Sequence, residues 1–310
     1  MTGPWNIKKD LIAASLELVG TMFFLLLGLG GIQAATAETL TSDAAITNVE
    51  KVLYVSTCMG FALVVCAWIF FRITGSLFNP CVTVSLVLLG ILPPFRGLLY
   101  FIAQFLGSVL AAALLRALTG TLSVNTFLRP GTSPAQGVFI EMFITCALVI
   151  AVLMLAAEKH QATAFAPIGI GLTLFSCHLF ATFYTGASMN TARSFGPALV
   201  SGFPTSSHWV YWVGPFLGSL LGSTFYALCK HYKYWTLNPH QDTDDYTKSP
   251  DDPVCVAQTI IEDSRLTLDP RVLVGQISER LPKLSVSSGT SFGGRSASTL
   301  VHEGSSVTAV

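Results

Sequence analysis

Two asparagines that lie 111 residues apart each begin a short apolar run. Asn79 opens the triplet Asn79-Pro80-Cys81, and Asn190 opens Asn190-Thr191-Ala192. An asparagine is a strong N-cap, because its side-chain oxygen accepts a backbone N–H while its NH2 group can donate elsewhere. Proline is well tolerated at the first helical position, where its missing N–H is not needed. The pattern predicts two short helices whose positive N-terminal ends present hydrogen-bond donors.

The elements around these asparagines are typical of a membrane protein. Of the 310 residues, 52% are hydrophobic and 11% are charged, against about 25% charged in an average globular chain. Six runs are long enough to span a bilayer, which requires about 20 residues; they are 11–33, 52–71, 95–119, 136–157, 162–184 and 208–229. Two half-length runs, 80–92 and 191–202, begin at the asparagines, and such short pieces suggest re-entrant segments.

The composition also argues against several other classes of protein. The net charge is zero and no basic cluster suggests nucleic-acid binding. The seven cysteines form no C-x-x-C pair, so neither a disulfide framework nor a metal site is expected. No nucleophile–base pair or phosphate loop indicates an enzyme, and no cofactor is expected. The predicted spans lack the paired acidic residues of an ion pump.

The chain contains an internal repeat. Segments of similar sequence recur in the same order, mostly at an offset of 111 residues; they are 75–79 with 186–190, 104–108 with 215–219, and Glu17 with Glu141. Each half, 11–120 and 136–230, holds three spans and one half-span, so the second half crosses the membrane in the opposite sense. The sequence therefore predicts an all-α polytopic membrane protein with an inverted repeat and a site at the repeat interface.

The positive charges predict the orientation of the chain. Most lysines and arginines near the span ends fall on one side of the predicted membrane, namely Lys8, Lys9, Arg72, Arg96, Lys159, Lys230 and Lys233. Lys51 and Arg129 fall on the other side. The larger set should be cytosolic, which makes 1–10 a short cytosolic N-terminus. Residues 231–310 are acidic, then Ser/Gly-rich, and we expect them to be a disordered cytosolic tail.

Four motifs resemble the aquaporin, or major intrinsic protein, family over residues 10–230. They are ELVGT at 17–21, NPCVT at 79–83, NTARSFGP at 190–197 and HWVYWVGP at 208–215. The stretch RITGSLFNP at 72–80 resembles the fungal orthodox water channels in particular. The resemblance implies a passive channel in the plasma membrane that assembles as a homotetramer with one pore in each protomer.

The resemblance also implies a selectivity filter at four positions. By their spacing from the two asparagines these are Met59, His178, Ala187 and Arg193. A guanidinium in the membrane is expensive and should face a cavity, although it could instead snorkel to the interface or pair with a glutamate. A lone histidine could instead hydrogen-bond a neighbouring helix.

Further positions bear on support and on selectivity. Glu17 and Glu141 are expected to brace the loops that expose carbonyl groups to the pore. By resemblance, His178 favours water over glycerol because it narrows the filter. Four other residues resemble those of water channels, namely Ser194, Ala198, Tyr211 and Trp212.

Three departures from the family pattern leave alternatives open. Met59 stands where water channels usually carry phenylalanine, Cys81 replaces an alanine, and Thr191 replaces a proline. Methionine is flexible, and threonine is less constrained than proline. The alternatives are a broader channel for glycerol, hydrogen peroxide or ammonia, and a poorly conducting structural or sensing protein. Were mercury to block the channel, Cys81 would be the first residue suspected.

Overall fold

The described part of the chain is helical and covers residues 6–41, 48–238 and 250–268 of the computed structural model. Nine α-helices occur there: α1 (Ile7–Thr41), α2 (Asn48–Phe70), α3 (Pro80–Leu88), α4 (Pro94–Thr119), α5 (Pro134–Val152), α6 (Ala166–Thr185), α7 (Thr191–Val200), α8 (Val210–His231) and α9 (Pro253–Leu268). A π-helical turn, Leu153–Ala157, extends α5. Six helices are long and apolar enough to cross a membrane, which confirms the predicted fold class.

The helices follow the internal repeat. In the first half α1 packs against α2 and α4, and in the second half α5 packs against α6 and α8. The short helices cross between the halves, because α3 packs against α8 and α7 packs against α4. Each short helix is therefore held by a long helix of the other half.

Glycines at equivalent positions let the long helices of each half cross closely. A Cβ atom added to Gly107 in α4 would lie 2.6 Å from the carbonyl oxygen of Leu18 in α1. One added to Gly218 in α8 would collide with the carbonyl oxygen of Met142 in α5. Small residues at such crossings allow backbones to approach in membrane proteins. The repeated glycines thus fix the two long-helix pairs around the short helices.

Local signals define the short helix α3. The side chain of Asn79 caps its first turn, in an extended conformation with φ −149° and ψ 117°. Just beyond its end, Gly90 has a positive φ of 70°, a conformation that glycine adopts without a steric penalty. The amides of Ile91 and Leu92 then both donate to the carbonyl of Leu86. The helix therefore stops after nine residues, and α4 begins shortly afterwards.

The described part of the chain falls into two units that divide after Thr259. Of the second unit the structure describes 260–268, the final part of α9. The prediction of disorder throughout 231–310 is wrong at 253–268, where α9 forms. The carboxylate of Asp252, just before this helix, accepts the amide of Val254 at 2.9 Å, and a proline suits the first helical position. Residues 269–310 lie outside the described residues.

A buried ion pair joins the ends of α5 and α8. Lys230 Nζ lies 3.0 Å from Glu158 Oε1, and both side chains are 5% exposed. Tyr226 donates its hydroxyl to Glu158 Oε1 at 2.5 Å, and Tyr234 donates to Oε2 at 3.3 Å. The carboxylate therefore receives donors on both oxygens, which offsets the cost of its burial.

Lys230→Met should lower the free energy of unfolding by about 3–5 kcal/mol, because it leaves Glu158 buried without its counter-charge. Adding Glu158→Gln should recover much of that loss. Thermal unfolding in detergent micelles measures both effects. Lys233→Met is the matched control, since it removes an exposed positive charge nearby. Equal losses at positions 230 and 233 would contradict the stabilising role of the buried pair.

Candidate functional site between the half-helices

Both short helices begin at the predicted asparagines. Asn79 Oδ1 accepts the amide of Cys81 at 2.9 Å, and Asn190 Oδ1 accepts the amide of Arg193 at 3.2 Å. Thr191 occupies the first position of α7, so this helix forms without a proline there. The cap is sufficient because it satisfies an N-terminal amide that has no partner within the helix.

The two asparagines also bond across the repeat. Asn79 Nδ2 donates to the carbonyl of Met189 at 2.8 Å, and Asn190 Nδ2 donates to the carbonyl of Phe78 at 2.7 Å. An amide NH2 group has two hydrogens, so this bond uses one and leaves the other available. Both asparagines line the same cavity. Each therefore caps its own helix, joins the two halves and can offer a donor to the cavity.

The segments before the short helices adopt an unusual backbone. Ser76 and Phe78 have positive φ values of 57° and 49°, and their repeat equivalents Ala187 and Met189 have values of 49° and 52°. Such conformations in residues other than glycine cost about 1–3 kcal/mol each and persist only where the surroundings impose them. Their recurrence at equivalent positions indicates that both halves impose the same chain path.

Glu17 supports the first of these segments. Its Oε1 atom accepts the amide of Phe78 at 2.6 Å and the side-chain amide of Gln104 at 2.9 Å. Gln104 Oε1 in turn accepts the hydroxyl of Thr83 at 3.1 Å. A carboxylate in α1 is thus connected to the start of α3, and it is fully buried.

Glu141 supports the second segment with more bonds. It accepts the hydroxyl of Thr185 at 2.6 Å and the amides of Ser188 and Met189, each at 2.9 Å. Tyr211 donates its hydroxyl to the carbonyl of Thr185 at 2.7 Å. The Glu141 carboxylate therefore holds the backbone amides of this segment, while the segment's carbonyl groups do not bond to it.

Two cavities meet at Arg193. The inner cavity is lined by Met59, both asparagines and largely apolar side chains, including Phe24, Leu63, Leu148, Val152, Ile170 and Leu174. The outer cavity is lined by Lys51, Arg129 and residues of 122–127 and 182–204. The inner cavity offers about 30 Å³ to the centres of water-sized molecules and the outer one about 670 Å³. Arg193 lines both, so it lies between the larger outer cavity and the smaller inner one.

Backbone carbonyl groups hold the Arg193 side chain in place. Nη1 donates to the carbonyl of Val124 at 3.1 Å, and Nη2 lies 3.5 Å from that of Gly186. Its Nε has no partner within the described residues. The residue is 2% exposed, and its hydrogen-bond partners are carbonyl groups, so the guanidinium neither snorkels to the interface nor bonds directly to a described glutamate.

The other three predicted filter residues are buried, but only Met59 joins Arg193 in lining the inner cavity. His178 Nδ1 lies 2.9 Å from the carbonyl of Leu174, one turn earlier. Because a carbonyl can only accept, Nδ1 carries a hydrogen and Nε2 is left without a partner in the described structure. Ala187 is fully buried in the positive-φ segment.

The four residues that resemble those of water channels lie outside both cavities and are held by packing or hydrogen bonds. Ser194 Oγ lies 2.7 Å from Ser188 Oγ and accepts the hydroxyl of Thr126 at 3.0 Å. Trp212 stacks on Phe105 with ring centroids 5.4 Å apart. Tyr211 contacts the Thr185 carbonyl described above, and Ala198 is buried within α7. None of these four lines either cavity.

The sequence analysis did not identify the role of Gln33. Its Nε2 donates to Thr121 Oγ1 at 2.9 Å, and its Oε1 accepts the amide of Ser123 at 2.7 Å. The next residue, Val124, supplies a carbonyl to Arg193. The sequence signal for this role was a glutamine within the apolar run of α1, because a buried side-chain amide requires hydrogen-bond partners.

Cys81, the residue first suspected in a mercury block, does not face the pore. The residue is fully buried, and its sulfur lies against Thr191 Oγ1. It lines neither cavity. The sequence placed it correctly at the start of α3, but which way the side chain points depends on contacts with the other half.

Six spanning helices and two capped half-helices, with two cavities that share Arg193, are the architecture of a transmembrane channel built on an inverted repeat. The sequence profile of the Major intrinsic protein family matches residues 4–226. The chain belongs to this family, the aquaporins, and is therefore a channel and not an enzyme.

Fungal relatives agree with this assignment, and a solved structure shares the fold. The chain is 64% identical over 259 residues to "Aquaporin-1" of Laccaria bicolor, with 83% of each chain covered. It is 49% identical over 240 residues to "Aquaporin-7" of Botryotinia fuckeliana, covering 76% of this chain and 53% of the relative. The fold matches the X-ray structure of the aquaglyceroporin from Plasmodium falciparum at a TM-score of 0.58 and 20% identity, covering 75% of this chain and 98% of the other.

Glu141→Gln should destabilise the protein more than Glu17→Gln. Both oxygens of Glu141 accept backbone amides, so a glutamine there turns an NH2 group towards a donor, at a cost of about 1–3 kcal/mol. Glu17 Oε2 accepts no hydrogen bond of ordinary length in the described structure, although the hydroxyl of Thr74 and the amide of Leu77 interact with the carboxylate, so a glutamine NH2 group there should cost less. Thermal unfolding in detergent measures the order, and equal or reversed losses would contradict this account.

Proposed function

We propose that the protein is a passive water channel, driven by osmotic gradients, that excludes ions and protons. The observation that carries the proposal is the junction at Arg193, where a wide outer cavity meets a narrow inner one. A single water needs about 10–15 Å³ of such space, so the 30 Å³ of the inner cavity suits about two waters. A space of this volume favours water over larger solutes.

Electrostatics support the exclusion of cations. Two helix N-termini, each with a partial positive charge of about half a unit, begin at Asn79 and Asn190, and the guanidinium of Arg193 lies close by. None of the described side chains that line the two cavities is acidic. The positive potential repels cations and protons, while the spare hydrogens of the asparagines and Arg193 Nε can donate to the oxygen of water.

We also propose a four-residue selectivity filter. We assign Met59, His178, Ala187 and Arg193 to it, with His178 Nε2 as a polar group available to a passing molecule. The flexible side chain of Met59 favours the alternative, a broader channel for glycerol, hydrogen peroxide or ammonia, because it can move aside.

The arrangement of the helix ends supports a cytosolic location for both termini. Arg96, at the start of α4, pairs with Asp10 near the start of α1 at 2.6 Å, and Glu158 pairs with Lys230 at the other helix ends on that side. Most positive charges flank these ends. We further propose a plasma-membrane homotetramer with a channel domain at 11–230, a short N-terminal segment at 1–10 and a cytosolic tail at 231–310.

Proteoliposomes that contain the purified chain should shrink several-fold faster than empty liposomes under an osmotic gradient, with glycerol and peroxide fluxes near the lipid baseline. Stopped-flow light scattering measures water and glycerol flux, and an enclosed peroxide-sensitive dye measures peroxide. Glycerol flux without water flux would overturn the water-channel proposal. Baseline fluxes for all three would instead support a poorly conducting structural or sensing protein.

His178→Ala should raise glycerol permeability several-fold if the buried ring of His178 belongs to the filter as proposed, because the variant removes that ring, whereas Met59→Phe should lower any glycerol flux of the native chain. Leu179→Ala is the matched control, since Leu179 is the adjacent residue of α6 and is 41% exposed. The same glycerol assay applies to all three variants. Unchanged glycerol flux in His178→Ala would remove His178 from the filter.

A further inference from the structure

The two half-helices differ at their first two positions. The helix α3 begins with Pro80 and Cys81, whereas α7 begins with Thr191 and Ala192. Thr191 therefore brings a backbone N–H and a hydroxyl that its repeat equivalent, Pro80, lacks. The residue is fully buried, and buried polar groups require partners.

The backbone around these positions is held in the same way in both halves. Ser219 in α8 donates its hydroxyl to the carbonyl of Cys81 at 2.6 Å, and its repeat equivalent Ser108 in α4 donates to the carbonyl of Ala192. The anchoring of the main chain is thus symmetric. The asymmetry lies in the side chains that face each other where the two helices begin.

The side chains of Cys81 and Thr191 are in contact across the repeat. The sulfur lies 3.4 Å from the threonine Oγ1 atom, and either atom could be the donor. The backbone amide of Thr191 also interacts with the sulfur. Both residues are fully buried. Cysteine is a weak donor and a weak acceptor, so one thiol can serve the polar groups that Thr191 adds.

We propose that Cys81 and Thr191 form one positioning pair, in which the thiol of α3 satisfies the polar groups that replace a proline at the start of α7. The pair holds the half-helices in register at their meeting point. Each member is linked to one of the two capping asparagines. Thr191 directly follows Asn190, and the amide of Cys81 donates to Asn79 Oδ1 at 2.9 Å. The pair thereby sets the orientation of both asparagines towards the pore. This effect on the pore rests on the proposed water channel.

A double-mutant cycle tests the pair. Cys81→Ala should lower the unfolding temperature in detergent by several degrees, because it leaves the hydroxyl and amide of Thr191 without the sulfur. Cys81→Ser should lower it less, since a hydroxyl can replace the thiol. Thr191→Pro is compatible with the extended conformation of Asn190, φ −148° and ψ 107°. In its background Cys81→Ala should have a much smaller effect, because the added polar groups are gone.

The matched control is Cys66→Ala, which removes a buried thiol in α2 that lines neither cavity. Osmotic permeability per channel, measured on the same variants, should fall several-fold in Cys81→Ala and return towards the native value in the double variant. A Cys81→Ala effect on unfolding that is equal with and without Thr191→Pro would overturn the pair. Non-additive unfolding with no water flux in any variant would keep the pair and overturn the proposed function.

Discussion

The structure depends on satisfying two helix N-termini that meet inside a membrane protein, away from bulk water. Asparagine solves this problem because one side chain can cap a helix and still donate to a second group. Asn79 and Asn190 each donate one Nδ2 hydrogen to a carbonyl group of the opposite half. Irregular backbone at membrane depth is tolerated only where it is buried in protein or lines a cavity. The bonds between the halves bury this backbone in protein, and the inner cavity lies beside it.

The inverted repeat places equivalent helices in both halves, and the two halves differ in the side chains at a few equivalent positions. Arg193 and Val82 occupy equivalent positions, each three residues after a capping asparagine, and both line the inner cavity. One half therefore offers a charge where the other offers an apolar wall. Glu141 accepts more backbone amides than Glu17 does, and it supports the half that carries the arginine. The half that holds the buried charge of Arg193 therefore has more hydrogen bonds between its supporting glutamate and the backbone.

Much of the fold could be predicted from the sequence, because run length and capping are local properties. The half-helix starting at Asn190 was expected despite Thr191, and it forms. The helix α9 was missed because acidic and proline-bearing sequence around it suggested disorder, although its first residues carry a local start signal of aspartate followed by proline. The contact between Cys81 and Thr191, and the support of Val124 by Gln33, could not be predicted, because they depend on how distant helices face each other.

The position of Arg193 follows from a chain of contacts that begins in α1. Gln33 in α1 holds the amide of Ser123, and the carbonyl of Val124 then receives the guanidinium. These bonds direct two of the three guanidinium nitrogens towards the protein and leave Nε for another acceptor. In the proposed channel, a buried charge that keeps N–H groups available favours small neutral molecules that can accept a hydrogen bond. If Arg193 belongs to the filter as proposed, selectivity at this point would therefore depend on the loop that holds the arginine as much as on the arginine itself.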